Sequence, residues 1–374
     1  MIITVFTTGL QAVDHWQAQL LEHSWALARQ PGELVRLVAG PQGAAMPVHS
    51  LARVVHTASY CPHPYIGDEF RGYDQPASLL QWLVRERVDA SLLVLDPQSL
   101  MLEPVQEEVA PGEAVGNTWR AWPNGGGPFG LDEPYRGLEA YCVNPKLKPP
   151  RVQFPLMIHS SDLRRMAARW LELTALIRCE SRDEEGRDQT AHQVAYTIAA
   201  AEYSIPHRER KLAVVPGDRR VDRSLLAYQQ PVESARGEIV WDPEAYVPWS
   251  EPVPGAAKAG AGRAMLERLR EYVLMRESGE HLRWRRPHRN HGVREARLPD
   301  RTVLEIPGVE QPLNLNSSAS AIWELCDNHR TLADIADVLE QRFEVSRQVL
   351  CTDIDLAITH LHNGGAIDLE IVDP

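Results

Sequence analysis

The sequence predicts an α/β domain followed by a small winged-helix-like α+β module, and three observations carry that reading. Strand-length apolar runs alternate with helical patterns over residues 1–100. One run, residues 92–95, reads Leu-Leu-Val-Leu and ends in Asp96-Pro97, as a buried parallel strand does when it delivers an acid to the carboxyl end of a sheet. From about residue 290 the pattern changes to short strands followed by three capped amphipathic helices.

Residues 2–6 predict the first strand, and Thr7, Thr8 and Gly9 after it form a small polar turn where a ligand can approach the backbone. Trp16, Leu20, His23, Ala26 and Leu27 recur at helical spacing until Pro31 and Gly32 stop the helix, and residues 34–38 make the next strand. Leu79, Leu80, Trp82 and Leu83 mark a second helix that leads into the central strand. This alternation predicts a mostly parallel sheet with right-handed crossovers. Residues 104–155, with Asn124-Gly-Gly-Gly-Pro128, read as a long loop, either a lid or an exposed insertion. Leu163, Met166, Ala167, Trp170, Leu171 and Leu173 predict a helix capped by Ser161 or Asp162, residues 190–203 another, and residues 224–228 a strand. Residues 252–262 have the composition of a flexible linker.

A helix over 264–275 follows, then a belt of Arg276, Arg283, Arg285, Arg286, Arg289, Arg294 and Arg297 that reads as a solvated connecting segment. Strands are expected at 303–306 and 313–315. The first of the three terminal helices starts after Ser317 and ends at Asp327-Asn328, where asparagine takes the left-handed cap. The second starts at Thr331, with Asp334 completing its cap, and is expected to bury Leu332, Ile335, Ala336, Leu339 and Phe343. The third, capped by Ser346, presents Leu350, Ile354, Ala357, Ile358 and Leu361 before Gly364-Gly365. The domain division is therefore 1–255, a linker and helix over 256–289, and 290–374.

With 374 residues, 44% hydrophobic and 24% charged, the chain is ordinary globular material for two or three domains. A net charge of -12 argues against a nucleic-acid partner. Five scattered cysteines, Cys61, Cys142, Cys179, Cys326 and Cys351, without a Cys-x-x-Cys spacing, argue against a disulfide framework or zinc site. Neither a signal peptide nor a membrane-length apolar run is present, so a cytoplasmic protein with no membrane partner is expected.

The pattern 319–327, then Arg330-Thr-Leu-Ala-Asp-Ile-Ala336, then 354–367 with Gly364-Gly365, resembles the PqqD-like family. That resemblance implies a domain that binds the leader segment of a ribosomally made precursor peptide and presents its core to a modifying enzyme. It places the leader as an added strand beside Leu313, Asn314 and Leu315, packed on the third helix at Cys351 and Asp355. An exposed sheet edge next to a helix suits such strand addition.

Residues 1–250 resemble, more distantly, the hydroxyproline O-arabinosyltransferases and peptidyl-serine galactosyltransferases. Thr4-Val-Phe-Thr-Thr8, Gln30-Pro-Gly32, Asp74-Gln-Pro76 with Gln81-Trp-Leu83, Leu95-Asp-Pro97, Ala195-Tyr-Thr197 and Trp241-Asp-Pro-Glu-Ala-Tyr246 occur in the same order. This implies a GT-A-like nucleotide-sugar-transferase fold, with Asp96 as the candidate catalytic or metal-anchoring acid. Thr7, Thr8, Asp74, Asp96 and Gln98 would then be the nucleotide-binding residues. A UDP-sugar donor with a divalent cation is the implied cofactor if the domain is active.

The chain departs from that pattern where the chemistry belongs. Gln98 stands in place of a second acid, the strand Leu225-Leu-Ala-Tyr228 lacks the expected histidine, and His192 or Gln193 replaces a glutamate. Amides are poor ligands for hard cations, so no metal site is assigned, though His159, His192 or Glu233 remain alternative ligands. Trp241, Tyr246 and Trp249 are either an acceptor platform or core. Two readings stay open: a leader-binding protein that delivers its peptide to a second maturation enzyme, or an active peptide O-glycosyltransferase.

Overall fold

The computed structural model describes residues 1–41, 50–118, 148–180, 191–229 and, apart from 235, 237, 244, 245, 247–252, 254–259, 300 and 310, residues 231–372. Residues 124–128 of the long loop, most of the 252–262 linker, Cys142 and Trp249 lie outside the described residues. The first of two compact units is drawn from the chain as far as Met265, and the second is centred on Leu266–Pro374.

In the first unit β1 (Ile2–Thr8), α1 (Ala12–Leu27), β2 (Glu33–Gly40), α2 (Asp74–Arg85) and β4 (Ser91–Leu95) alternate as the sequence predicts, and β3 (Arg53–Ala58), a strand the pattern does not predict, comes between β2 and α2. They are joined by β6 (Ala114–Thr118), β7 (Val152–His159), α3 (Ser160–Glu180), α4 (Ala191–Glu202) and β8 (His207–Arg210) in a seven-stranded sheet of order β3-β2-β1-β4-β7-β6-β8. The first four strands are parallel, but β7 runs antiparallel to both β4 and β6, so the sheet is mixed. The loop reading of 104–155 hid β6 and β7, because Gly116 sits at a register shift and Pro155 interrupts the apolar pattern.

The unbroken run in β4 has a direct cause. Leu92 and Val94 face Leu79 and Trp82 of α2, with Trp170 of α3 and Ile198 of α4 in the same core. Leu93 and Leu95 face the opposite core with Phe6 and with Ala18 and Leu21 of α1. A strand covered on both faces has no solvent side to mark with polar residues. Gly32, at φ +97, holds the α1-to-β2 turn so close to β1 that a Cβ would lie 1.9 Å from the Ile2 carbonyl oxygen. Smaller ladders complete the unit: β5 (Ser99–Met101) and β9 (Ala213–Val214) flank β10 (Leu225–Ala227), and β11 (Val232–Glu233) pairs with β12 (Ile239–Trp241).

In the second unit, the C-terminal part of α5 (Ala261–Ser278) leads to β13 (Arg285–Arg289), paired with β17 (Ile367–Ile371). A second sheet has the order β14 (Arg294–Arg297), β15 (Thr302–Glu305), β16 (Leu313–Leu315). Five of the seven belt arginines thus lie on two strands rather than in a connecting segment, with Arg276 on α5 and Arg283 in the 3-10 turn before β13. Arg285 is buried, and the Arg289 guanidinium lies 4.2 Å over the Trp323 ring, so aliphatic stems and flat cations serve as packing surface.

Helices α6 (Ser317–Leu325), α7 (Leu332–Glu340) and α8 (Arg347–Asn363) follow, with N-caps Asn316, Thr331 and Ser346. Asn328 takes the left-handed conformation at φ 67. Leu332, Ile335, Ala336 and Leu339 are buried as the helical period requires, but Phe343 falls beyond the end of α7 and is 46% exposed. Among the described residues no helix is long and apolar enough to cross a membrane.

Candidate functional site

In the strand order β3-β2-β1-β4, successive connections leave in opposite directions from β1, and the crevice between the carboxyl ends of β1 and β4 is where open α/β sheets bind ligands. A cleft of about 350 Å³ lies there, lined by Thr7, Thr8 and Gly9 after β1, Asp96, Pro97 and Gln98 after β4, and Asp74 and Gln75 at the start of α2. Asp14, Arg71, Gly72, His192, Gln193 and Gln229 complete it. All five residues named from the sequence for nucleotide contact, Thr7, Thr8, Asp74, Asp96 and Gln98, thus share one wall system.

Asp96 is clasped by amides. Gln229 donates to its Oδ2 at 2.8 Å and Gln75 to its Oδ1 at 3.4 Å. Burial pushes the Asp96 carboxyl up to about 6, and the two amide bonds only partly oppose that. Gln229 reaches it because β10 pairs antiparallel with β5, which brings the residues after β10 beside Pro97 and Gln98. Asp74 is committed to its own chain, accepting from Tyr60 N–H at 2.6 Å and from Ser59 Oγ at 3.0 Å. Burial still raises its pKa above the usual carboxylate value.

Asp14 accepts from Arg71 at 2.7 Å and from the Gln11 N–H at 3.0 Å. Gly9 makes room for this pair, since a Cβ there would lie 2.6 Å from the Arg71 Nη2. Behind the wall, fully buried Arg36 pairs with Glu22 at 3.5 Å and donates from Nε to Thr8 Oγ1 at 3.0 Å. His192 is stacked beside Phe154, and burial pulls its pKa down to about 4, so the imidazole is neutral. Three buried side-chain atoms of the lining, Thr7 Oγ1, Gln75 Oε1 and His192 Nδ1, have no hydrogen-bond partner among the described residues.

A divalent cation does not fit this donor set. The Gln75 and Gln229 amides put N–H groups against Asp96 where a cation would have to sit, and the other carboxylates are engaged. Among the described residues no group of three or more His, Cys, Asp or Glu could hold a metal ion. Of the alternative ligands, His159 pairs in register with Ser91, at the end of β4 opposite to Asp96, and Glu233 is exposed on β11. Trp241 and Tyr246 pack on buried Trp16 at 6.3 and 5.3 Å, which makes them core rather than an acceptor platform. Arg71, Asp14, Gln75 and Gln229 were not singled out from the sequence. The capping relation of Gln11 with Asp14 was the one local signal available.

The second unit offers a different surface. Among the described residues strand β16 pairs with β15 on one side only and forms the edge of its sheet. Asn314 is exposed, while Leu315 is fully buried and Leu313 touches Gly364 at the end of α8, where a Cβ would lie 3.0 Å from its methyls. The other two residues named for peptide contact face inward. Cys351 is buried against Gly279, and Asp355 engages Arg276 at 3.5 Å and His281 at 3.4 Å. The outward stripe of α8 instead carries Val349, Asp353, Leu356 and His360, with Leu356 66% exposed.

Residues 301–367, which include β15, β16 and the three helices, match the family model for Coenzyme PQQ synthesis protein D (PqqD). The chain has a C-terminal PqqD-like domain. Over 232 residues the chain is 25% identical to the peptidyl serine alpha-galactosyltransferase of Arabidopsis thaliana, covering 58% of this chain and 28% of that protein. The chain therefore spans little more than a quarter of that relative, and its N-terminal region is distantly related to glycosyltransferases. Among solved structures, the chain is similar to TbiB1 in complex with the TbiA(beta) leader peptide. That match has 21% identity and a TM-score of 0.21 and covers 22% of this chain and 94% of the other.

Proposed function

We propose that this protein captures a ribosomally made precursor peptide through its PqqD-like domain and delivers the core to a maturation enzyme. The observation that carries the reading is the unpaired edge of β16 in that domain, at the end where Leu313 meets α8. A leader segment adds there as a further strand: main-chain bonds supply affinity, and side chains at alternate positions reach the outward stripe of α8. Val349 and Leu356 are the anchors on that stripe, rather than Cys351 and Asp355.

A second reading is favoured by the cleft at the sheet switch point: the large unit itself transfers a sugar to the peptide. A transferase must stabilise a departing diphosphate, normally by a divalent ion or by positioned cations. Among the described residues Arg71 is the one cationic side chain of the lining, and Asp14 already holds it. This chemistry ranks peptide delivery first.

The test is titration of the full chain with a labelled precursor peptide encoded near its gene, read by fluorescence anisotropy. Micromolar or tighter binding is expected, lost when the leader is removed. Asn314→Pro, which removes a main-chain donor from β16, should weaken it. Equal affinity for leader and leaderless peptide would overturn the reading. A hexose or pentose mass increment on the peptide after incubation with nucleotide sugar would promote the second.

A further inference from the structure

The hydrogen-bonding inventory of the cleft selects a kind of ligand. Asp96 only accepts, so the amide groups facing it are N–H, and Gln75 must turn its Oε1 away from Asp96. That oxygen is an acceptor without a partner on a side chain more than nine-tenths buried. Thr8 Oγ1 already accepts from Arg36, which leaves its own hydrogen to donate. Thr7 adds a second hydroxyl without a partner among the described residues. One wall system thus presents acceptors and donors together.

We infer that this cleft binds an uncharged, hydroxyl-rich ligand, a glycoside, through amide and hydroxyl contacts and without a divalent cation or a diphosphate. A sugar hydroxyl donates and accepts, so neighbouring hydroxyls can satisfy Gln75 Oε1 and the threonines at once. A phosphate at neutral pH essentially only accepts. Placed here it would leave Gln75 Oε1 without a donor, and unpaired buried groups are what binding sites reject most strongly.

Charge points the same way. Among the described residues the lining contains Asp14, Asp74 and Asp96 against Arg71 alone, an excess of two negative charges when all are ionised, and His192 is neutral. A diphosphate would meet repulsion in a half-buried site where screening is weak. An ammonium ligand would answer the charge but only donates, which leaves the threonine hydroxyl hydrogens without an acceptor. The inference is independent of leader capture and stands against the transferase reading.

Saturation-transfer NMR and calorimetry on the full chain test it, using methyl glycosides of galactose, glucose, mannose, xylose and arabinose, with UDP and butylammonium as charged comparators. Each probe is measured with EDTA and with Mn²⁺. At least one glycoside should bind saturably with the same affinity in both conditions, and UDP should bind more weakly than that glycoside in each. Gln229→Ala, at an exposed position, and Thr8→Val should each weaken the glycoside about two- to tenfold, as loss of one hydrogen bond does. Gln229→Glu, which sets a second carboxylate beside Asp96, should raise Mn²⁺ affinity at least tenfold. Metal-dependent UDP binding tighter than every glycoside would overturn the inference. So would butylammonium binding tighter than every glycoside, no saturable glycoside, glycoside affinity indifferent to both weakening variants, or Mn²⁺ affinity unmoved by Gln229→Glu.

Discussion

At the cleft three buried side chains, Thr7, Gln75 and His192, carry polar atoms without partners among the described residues, whereas at β16 the open groups belong to the main chain of an edge strand. A main-chain edge accepts any extended peptide and leaves selectivity to its surroundings, here the outward stripe of α8. A side-chain site is committed atom by atom, because each amide orientation is fixed by the neighbour it already serves. The first kind survives substitution of nearly every residue that forms it. The second changes its ligand when one carboxylate becomes an amide.

The comparison breaks most sharply at the scaffold behind the cleft. Glu22→Ala leaves the Arg36 guanidinium buried without its acid, and losing one partner of a buried pair costs about 3–5 kcal/mol. Urea denaturation should show a large loss confined to the transition of the first unit, with leader affinity unchanged. Equal loss in both transitions would mean that the units do not fold as separate cores.

The edge is tested at Leu356. An aliphatic side chain that becomes buried on binding contributes about 1.5–3 kcal/mol, so Leu356→Asp should weaken the leader complex tenfold or more. Because Leu356 is mostly exposed, the melting temperature of the free protein should hold. Unchanged anisotropy titrations for this variant would remove α8 from the peptide surface.

Features read from local pattern appear where the sequence puts them. The 92–95 run delivers Asp96 to the sheet end, and Thr331 with Asp334 caps α7. Features made by distant packing do not show. Gln229 and Asp96 are 133 positions apart and meet only because β10 pairs with β5. Arg71 and Asp14 are 57 apart and meet across Gly9. Cys351 and Asp355 illustrate a smaller failure. Helical spacing gives the faces of α8 but not which face the chain itself covers, and the segment around Arg276, Gly279 and His281 takes theirs. Phe343 fits the period of α7 but lies past its last turn.

The smallest expected effect bears on Asp96. Its carboxyl titrates at about 6 in the folded chain, against an ordinary value of 3.8. A raised acid favours its protonated form on folding, so the folded state binds more protons between those two values and stability falls as pH rises through that window. The stability is fully present below the ordinary value and lost once pH passes the folded one. Asp96→Asn carries no charge at any pH, and one amide can turn so that a glutamine oxygen accepts from the new N–H. The variant should therefore match wild type near pH 4 and exceed it by about 1 kcal/mol near pH 7.5, a figure reduced for the partial exposure of the group. Thermal denaturation across that range reads the difference directly. A gap of constant size at every pH would show that amide rearrangement, not burial of a charge, governs this corner of the cleft.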